Sequence, residues 1–273
     1  MTGERIGLIA GNGRFPLVFA ERARLRGVRV AAVAHRGETD PGIAALVETV
    51  TWIDAGQIGA MITALRAAGI ARAVMAGGIA KPRLFENFRP DDRALALLAR
   101  VGTIRDDGLL RALATELERE GIAIVESTLY LGDLVPAVGV LTQRVPTEAE
   151  WSDVRHGLDA ARAIGRFDIG QTVVIRQGTV VAVEGIEGTD ATIRRAGSLV
   201  RGEFVVVKVC KPTQDTRFDL PAIGAETVRG MCEAGGRVLA VEAGRTIMLD
   251  RDVMVATADA GGLAIVAVEA ETP

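Results

Sequence analysis

The chain has 273 residues, enough at about 150 residues per domain for two modest domains that each bury a core. With 32 Lys+Arg against 35 Asp+Glu its formal charge is -3, which excludes the strongly basic surface of sequence-independent nucleic-acid binding. A composition 49% hydrophobic and 25% charged excludes disorder for most of the chain, and with aromatics at 4% the core must be built from Ala, Val, Leu and Ile.

In chain order, an apolar strand over 5–10 meets Gly11-Asn12-Gly13-Arg14-Phe15-Pro16, and a helical period over 17–25 ends at Gly27. A second strand is expected over 28–34, a helix over 53–68 stopping at Gly69, and a third strand over 70–76 that enters Gly77-Gly78. Helices over 91–100 and 106–120 and a strand over 122–125 complete a parallel α/β sheet. Pro136, Gly139 and Pro146 break the pattern between 126 and 146, and a crossover is placed there. The expected domains are therefore 1–130 and 147–273, with a linker over 131–146.

A helix over 147–164 opens with Thr147 and Glu150 in capping-box spacing. Strands over 172–176 and 180–184 form a hairpin around Gln177-Gly178-Thr179. Four more strands, over 203–209, 237–241, 246–249 and 263–268, interleave with helices near Asp190, Thr227 and Arg251. The second half is a mixed α/β domain, and no internal repeat is visible.

Cys210 and Cys232 are too few for a disulfide framework or a Cys-based zinc site, which fits a reducing, cytoplasmic setting. The first apolar stretch is too short for a signal-peptide core, and no run approaches the ~20 apolar residues of a membrane span. His35 and His156 are not spaced as a metal pair.

Three clusters carry chemistry. Gly11, Asn12 and Gly13, between a strand and a helix, suit a phosphate held by backbone N–H groups; the same residues also read as a tight turn with Pro16 at the first helical position. Pro16 replaces the third glycine of the dinucleotide fingerprint and the second strand ends on His35-Arg36, which weakens the case for NAD, although Arg36 suits the 2′-phosphate of NADP. Gly77, Gly78 and Lys81 lie at the same sheet edge. Farther on, Lys208, Lys211, Arg217, Asp215 and Asp219 crowd one turn region: cations neutralise phosphate oxygens, and carboxylates hold Mg2+ or Mn2+. Glu184, Glu187 and Asp190 surround glycines just after a strand, and Thr189 or Asp190 also suits a helix cap.

These residues carry a resemblance. The run Ile6 to Gly13 followed by Phe15-Pro16, the run Val181 to Asp190, and Lys208 with Lys211-Pro-Thr-Gln-Asp215 through Arg217-Phe-Asp219-Leu-Pro221 resemble the LpxI family of UDP-2,3-diacylglucosamine pyrophosphatases over the whole chain. The resemblance implies hydrolysis of UDP-2,3-diacylglucosamine to UMP and 2,3-diacylglucosamine 1-phosphate, with attack on the phosphorus next to the sugar and Mg2+ or Mn2+ as cofactor. It implies a Rossmann-like N-terminal domain and a family-specific C-terminal one, with substrate held between them. On this reading Asp215, Asp219, Glu184 and Asp190 hold the metal, and Lys208, Lys211, Arg217 and Glu226 join the catalytic set. Gly11, Asn12, Gly13, Phe15, Gly77, Gly78, Lys81, Gly188, Thr189 and Gln214 contact substrate. Ala225 stands where the family pattern admits an acidic residue, so this chain is expected to turn substrate over slowly. A cytoplasmic enzyme with transient contact at the inner membrane follows, and a homodimer is left open. Two other classes stay open: an NADP-dependent reductase using Gly11, Gly13 and Arg36, and a non-catalytic binder of nucleotide-sugars or lipids.

Overall fold

A computed structural model describes residues 3–79, 88–101, 106–212, 214–217 and 220–270, with backbone only at 106 and 107. The chain divides into two compact units. The first comprises residues up to Gly132 together with 215–217; the second comprises Asp133–Gln214 and everything described from Leu220 onward.

In the first unit, strands β1 (Arg5–Ala10), β2 (Arg29–His35), β3 (Thr49–Ile53), β4 (Arg72–Ala76) and β5 (Ala123–Ile124) form one parallel sheet in the order β3-β2-β1-β4-β5. Both faces of its middle are covered, which is why β1, β2 and β4 read as continuous apolar runs rather than alternating ones. Ile9, Ala31, Val33, Ala73 and Met75 share a core with α2 (Ile58–Ala67), α3 (Asp92–Val101) and α4 (Asp106–Arg119), while α1 (Phe15–Leu25) packs on β1, β2 and β4. The expected helix over 53–68 is corrected: its first residue ends edge strand β3, the chain turns at Gly56 (φ +95°), and the helix begins at Ile58.

The second unit carries a six-stranded sheet in the order β6-β13-β11-β9-β7-β8. Its strands are β6 (Gly139–Val140), β7 (Thr172–Arg176), β8 (Thr179–Val183), β9 (Phe204–Lys208), β11 (Gly236–Glu242) and β13 (Ala264–Val268). Strands β9, β11 and β13 run parallel, and β6, β7 and β8 each run antiparallel to a neighbour. A separate parallel pair joins β10 (Ala222–Ile223) to β12 (Ile247–Met248). Alternate residues of β9 split between two cores. Val205 and Val207 pack with α5 (Glu148–Arg166) on one face, and Phe204 and Val206 pack with α6 (Thr189–Leu199), α7 (Ala225–Ala234) and α8 (Arg251–Ala260) on the other. Residues 139–140, read from sequence as part of a linker, pair with β13.

The two units are thus both α/β, the first with a wholly parallel sheet and the second with a mixed one. No helix among the described residues is long and apolar enough to cross a membrane.

Candidate active site

Strand register assembles a polar cluster at one edge of the second sheet. Lys208 ends β9 and faces Thr172 at the start of antiparallel β7, and Glu184 follows β8 on the far side of Thr172. This is the carboxyl edge of the parallel strands, where open α/β sheets place their ligands. Lys208 is 6% exposed, Glu184 7% and Thr172 fully buried. The Lys208 ammonium donates to Thr189 Oγ1 (3.1 Å) and to the Ala222 carbonyl (2.9 Å). Thr189 Oγ1 donates in turn to Glu184 Oε1 (3.0 Å) and lies 3.2 Å from Thr172 Oγ1, while Glu184 Oε2 accepts from Gln171 N–H (3.2 Å). A buried cation and a buried carboxylate are therefore joined through one hydroxyl, which offsets the cost of taking both charges out of water.

Helix α6 supplies that hydroxyl from its first residue. Gly188 precedes it at φ +82°, a left-handed conformation that glycine adopts without steric cost. Asp190, next in line, accepts from Thr227 Oγ1 of α7 (2.9 Å). Glu187 does something else: it clasps its own loop through Gly185 N–H, Thr192 and Arg195, and its own backbone N–H, together with Arg195, holds its carboxyl below the usual range.

A second network fixes the loop after β9. Glu242, 3% exposed at the end of β11, accepts from Cys210 N–H (2.9 Å) and pairs with Arg162 of α5 (3.1 Å). Gln214 Oε1 accepts from Lys211 N–H (2.9 Å) and from the Cys210 thiol (3.4 Å), and the Lys211 ammonium meets Asp168 (2.6 Å). Of the residues joined in these two networks, Lys208, Thr189, Glu184, Asp190, Lys211 and Gln214 were singled out in the sequence; Thr172, Thr227, Arg162, Asp168 and Glu242 were not.

Other expected site residues fall elsewhere. Asp215 and Arg217 group with the first unit, where the guanidinium grips both carboxylate oxygens (3.0 and 2.9 Å) and Arg217 C=O accepts from Ser127 N–H. That grip lowers the Asp215 pKa and raises that of Arg217. Glu226 is an exposed residue of α7 paired with Arg229, whose guanidinium lowers its pKa. Ala225, 6% exposed, begins α7 and packs in the core of the second unit. Lys81 and Asp219 lie outside the described residues. Among the described residues no three His, Cys, Asp or Glu side chains converge to hold a cation; Asp219, one of the expected ligands, is not among them.

The glycine turn of the first unit has its own geometry. A Cβ on Gly11 would lie 2.2 Å from the Gly78 carbonyl, and one on Gly77 2.3 Å from that of Asn12. The two loops interlock through Gly11 N–H on Ala76 C=O and Asn12 N–H on Gly78 C=O. Two of the amides read as phosphate donors are thus used by the fold itself, and Phe15 is buried at the start of α1. Of Gly11, Asn12 and Gly13, the last, at φ +78° with open space about it, is the exposed one; Gly77 and Gly78 are exposed as well.

Family models match in the same order as the two units: the LpxI N-terminal domain over residues 5–134 and the LpxI C-terminal domain over 137–266. The chain belongs to the LpxI family. A curated member, UDP-2,3-diacylglucosamine pyrophosphatase LpxI of Caulobacter vibrioides, is 37% identical over 97% of this chain and 98% of its own length. Among solved structures, the biotin carboxylase subunit of pyruvate carboxylase matches 67% of this chain and 38% of its own at 14% identity, with a TM-score of 0.27. A 2-oxoglutarate carboxylase biotin carboxylase domain from Hydrogenobacter thermophilus gives 11% identity over 72% and 41%, with a TM-score of 0.28. Neither likeness is close enough to bear on the chemistry of the LpxI fold.

Proposed function

We propose that this chain hydrolyses the pyrophosphate of UDP-2,3-diacylglucosamine, releasing UMP and 2,3-diacylglucosamine 1-phosphate, a step of lipid A biosynthesis. The observation that carries the reading is the end-to-end relationship to a UDP-2,3-diacylglucosamine pyrophosphatase. The buried Lys208 cluster supports it. A cation fixed at a sheet edge by a hydroxyl and a carbonyl is preorganised to stabilise charge developing on phosphate oxygens, and needs no reorganisation as the reaction proceeds. Lys211, oriented by Asp168, is proposed to serve the same oxygens.

Water is proposed to attack the phosphorus next to the sugar, which leaves UMP as the departing group. A divalent cation, Mg2+ or Mn2+, would supply Lewis-acid polarisation of the phosphoryl oxygens when bound. We propose that it is carried largely by the substrate's own phosphates, with Asp215 and Asp219 as protein ligands. Turnover lost on chelation and regained with either metal supports that cation; turnover indifferent to chelator removes it.

Ala225 is proposed to hold turnover down by standing where a carboxylate would act. Ala225→Asp should raise kcat; no gain in a folded variant discards that role. Lys208→Met should lower kcat/KM by about 10²–10³, the magnitude typical of losing one preorganised electrostatic donor. Activity retained within twofold by that variant would leave Lys208 a structural tie between β9 and β10.

A further inference from the structure

We propose that Glu38 binds the ribose of the substrate's nucleoside, in a crevice that belongs wholly to the first unit; the choice of uridine rests on the hydrolase reading above. In nucleotide-binding α/β sheets, an acid about 20 residues beyond the glycine turn, after the second strand, holds the ribose hydroxyls. Strand β2 ends here on His35 with an arginine after it, and by sequence the acid is missing. The backbone then doubles back. Glu38 N–H and Thr39 N–H both donate to the His35 carbonyl (3.1 and 2.9 Å), and Thr39 Oγ1 donates to Ala10 C=O (2.6 Å) at the end of β1. This fold-back delivers the Glu38 carboxylate to the glycine turn, where Asn12 Nδ2 donates to it (3.0 Å). The ribose acid is therefore present, displaced by a short turn.

The surroundings suit a nucleoside phosphate. Glu38 lines an open crevice of about 1010 Å³ with Gly13, Arg14, Arg36, Asp40 and Trp52. It also borders a smaller one of about 360 Å³ that includes Arg36, Asp54 and Arg89. Trp52 offers a half-buried aromatic surface for a flat base, and Arg14 and Arg36 offer cations for phosphate oxygens. A carboxylate accepts from a ribose hydroxyl but repels a 2′-phosphate, so the same residue selects against NADP.

The test is titration calorimetry of the full chain with UMP and with 2′-deoxy-UMP. The proposal expects wild type to bind 2′-deoxy-UMP about tenfold more weakly or worse, the loss of one hydrogen bond to a charged acceptor. Glu38→Gln and Glu38→Ala should bring the two ligands within about twofold of each other while melting close to wild type. Equal binding of both ligands by wild type, no binding of UMP, or discrimination that survives both substitutions overturns it. The comparison on wild type needs no variant to fold. Hydrolysis of UDP-2,3-diacylglucosamine is scored separately: ribose discrimination without turnover keeps this site and discards the hydrolase, and turnover without discrimination does the reverse.

Discussion

His35 shows how much a single buried side chain constrains the glycine turn. Its Nδ1 faces the Ala10 carbonyl at 2.9 Å, and because a carbonyl only accepts, that nitrogen carries the proton. Burial lowers the ring's pKa below 6.5, so the folded state resists taking a second proton that the unfolded chain accepts readily. Stability is therefore unaffected by this group above pH 6.5 and is lost progressively as pH falls below it. A His35→Gln variant should show a shallower fall in urea midpoint between neutral pH and about pH 5 than wild type; parallel slopes would contradict the assignment. Glu242 makes the sharper case. Glu242→Leu removes the carboxylate that pairs with Arg162 and accepts from the Cys210 amide, at a cost of about 3–5 kcal/mol by chemical denaturation. A loss under about 1 kcal/mol would mean that the network adds little. Neither role was legible in the sequence. Arg162, Cys210 and Glu242 sit on three elements far apart in the chain, and only strand register makes them neighbours. Lys208 was legible because a charge at the end of a run of valines has to be stabilised at a sheet edge.

At the scale of elements, the prediction concerns the two glycines of the first turn, which look equivalent in sequence and are not. Gly11→Ala drives a methyl into the Gly77–Gly78 peptide backbone and should cost more than about 2 kcal/mol. Gly13→Ala meets no neighbour and bears only its positive φ, roughly 1–2 kcal/mol. Thermal melts that rank the two the other way would contradict the interlocked loops. Elements with strong local signals were readable: the Thr147 capping box and the hairpin of β7 and β8 formed where expected. Strand β3 was hidden because its exposed residues alternate with half-buried ones at a sheet edge, and its last residue, Ile53, also begins an apolar run with helical spacing. Strand β12 falls inside the strand expected over 246–249, whereas its two-residue partner β10 is too short to leave a pattern at all.

For the whole molecule, alternating strands and helices in the first half and the change of texture after the long helix α5 gave the α/β class and a second, mixed α/β domain. What the sequence withheld was long-range grouping. Residues 215–217 are flanked on both sides by the second unit yet cluster with the first, through Ser127 and Glu118 on Arg217. A motif that looked like one continuous site, from Lys208 to Asp219, is therefore divided between two structural units. The hydrolase reading is tested most directly by incubating the intact chain with UDP-2,3-diacylglucosamine in heavy-oxygen water and weighing both products. The account predicts UMP and 2,3-diacylglucosamine 1-phosphate in equal amounts, with the label on the sugar phosphate, and a faster reaction after Ala225→Asp. Release of neither product by wild type or by the Ala225→Asp variant would contradict it.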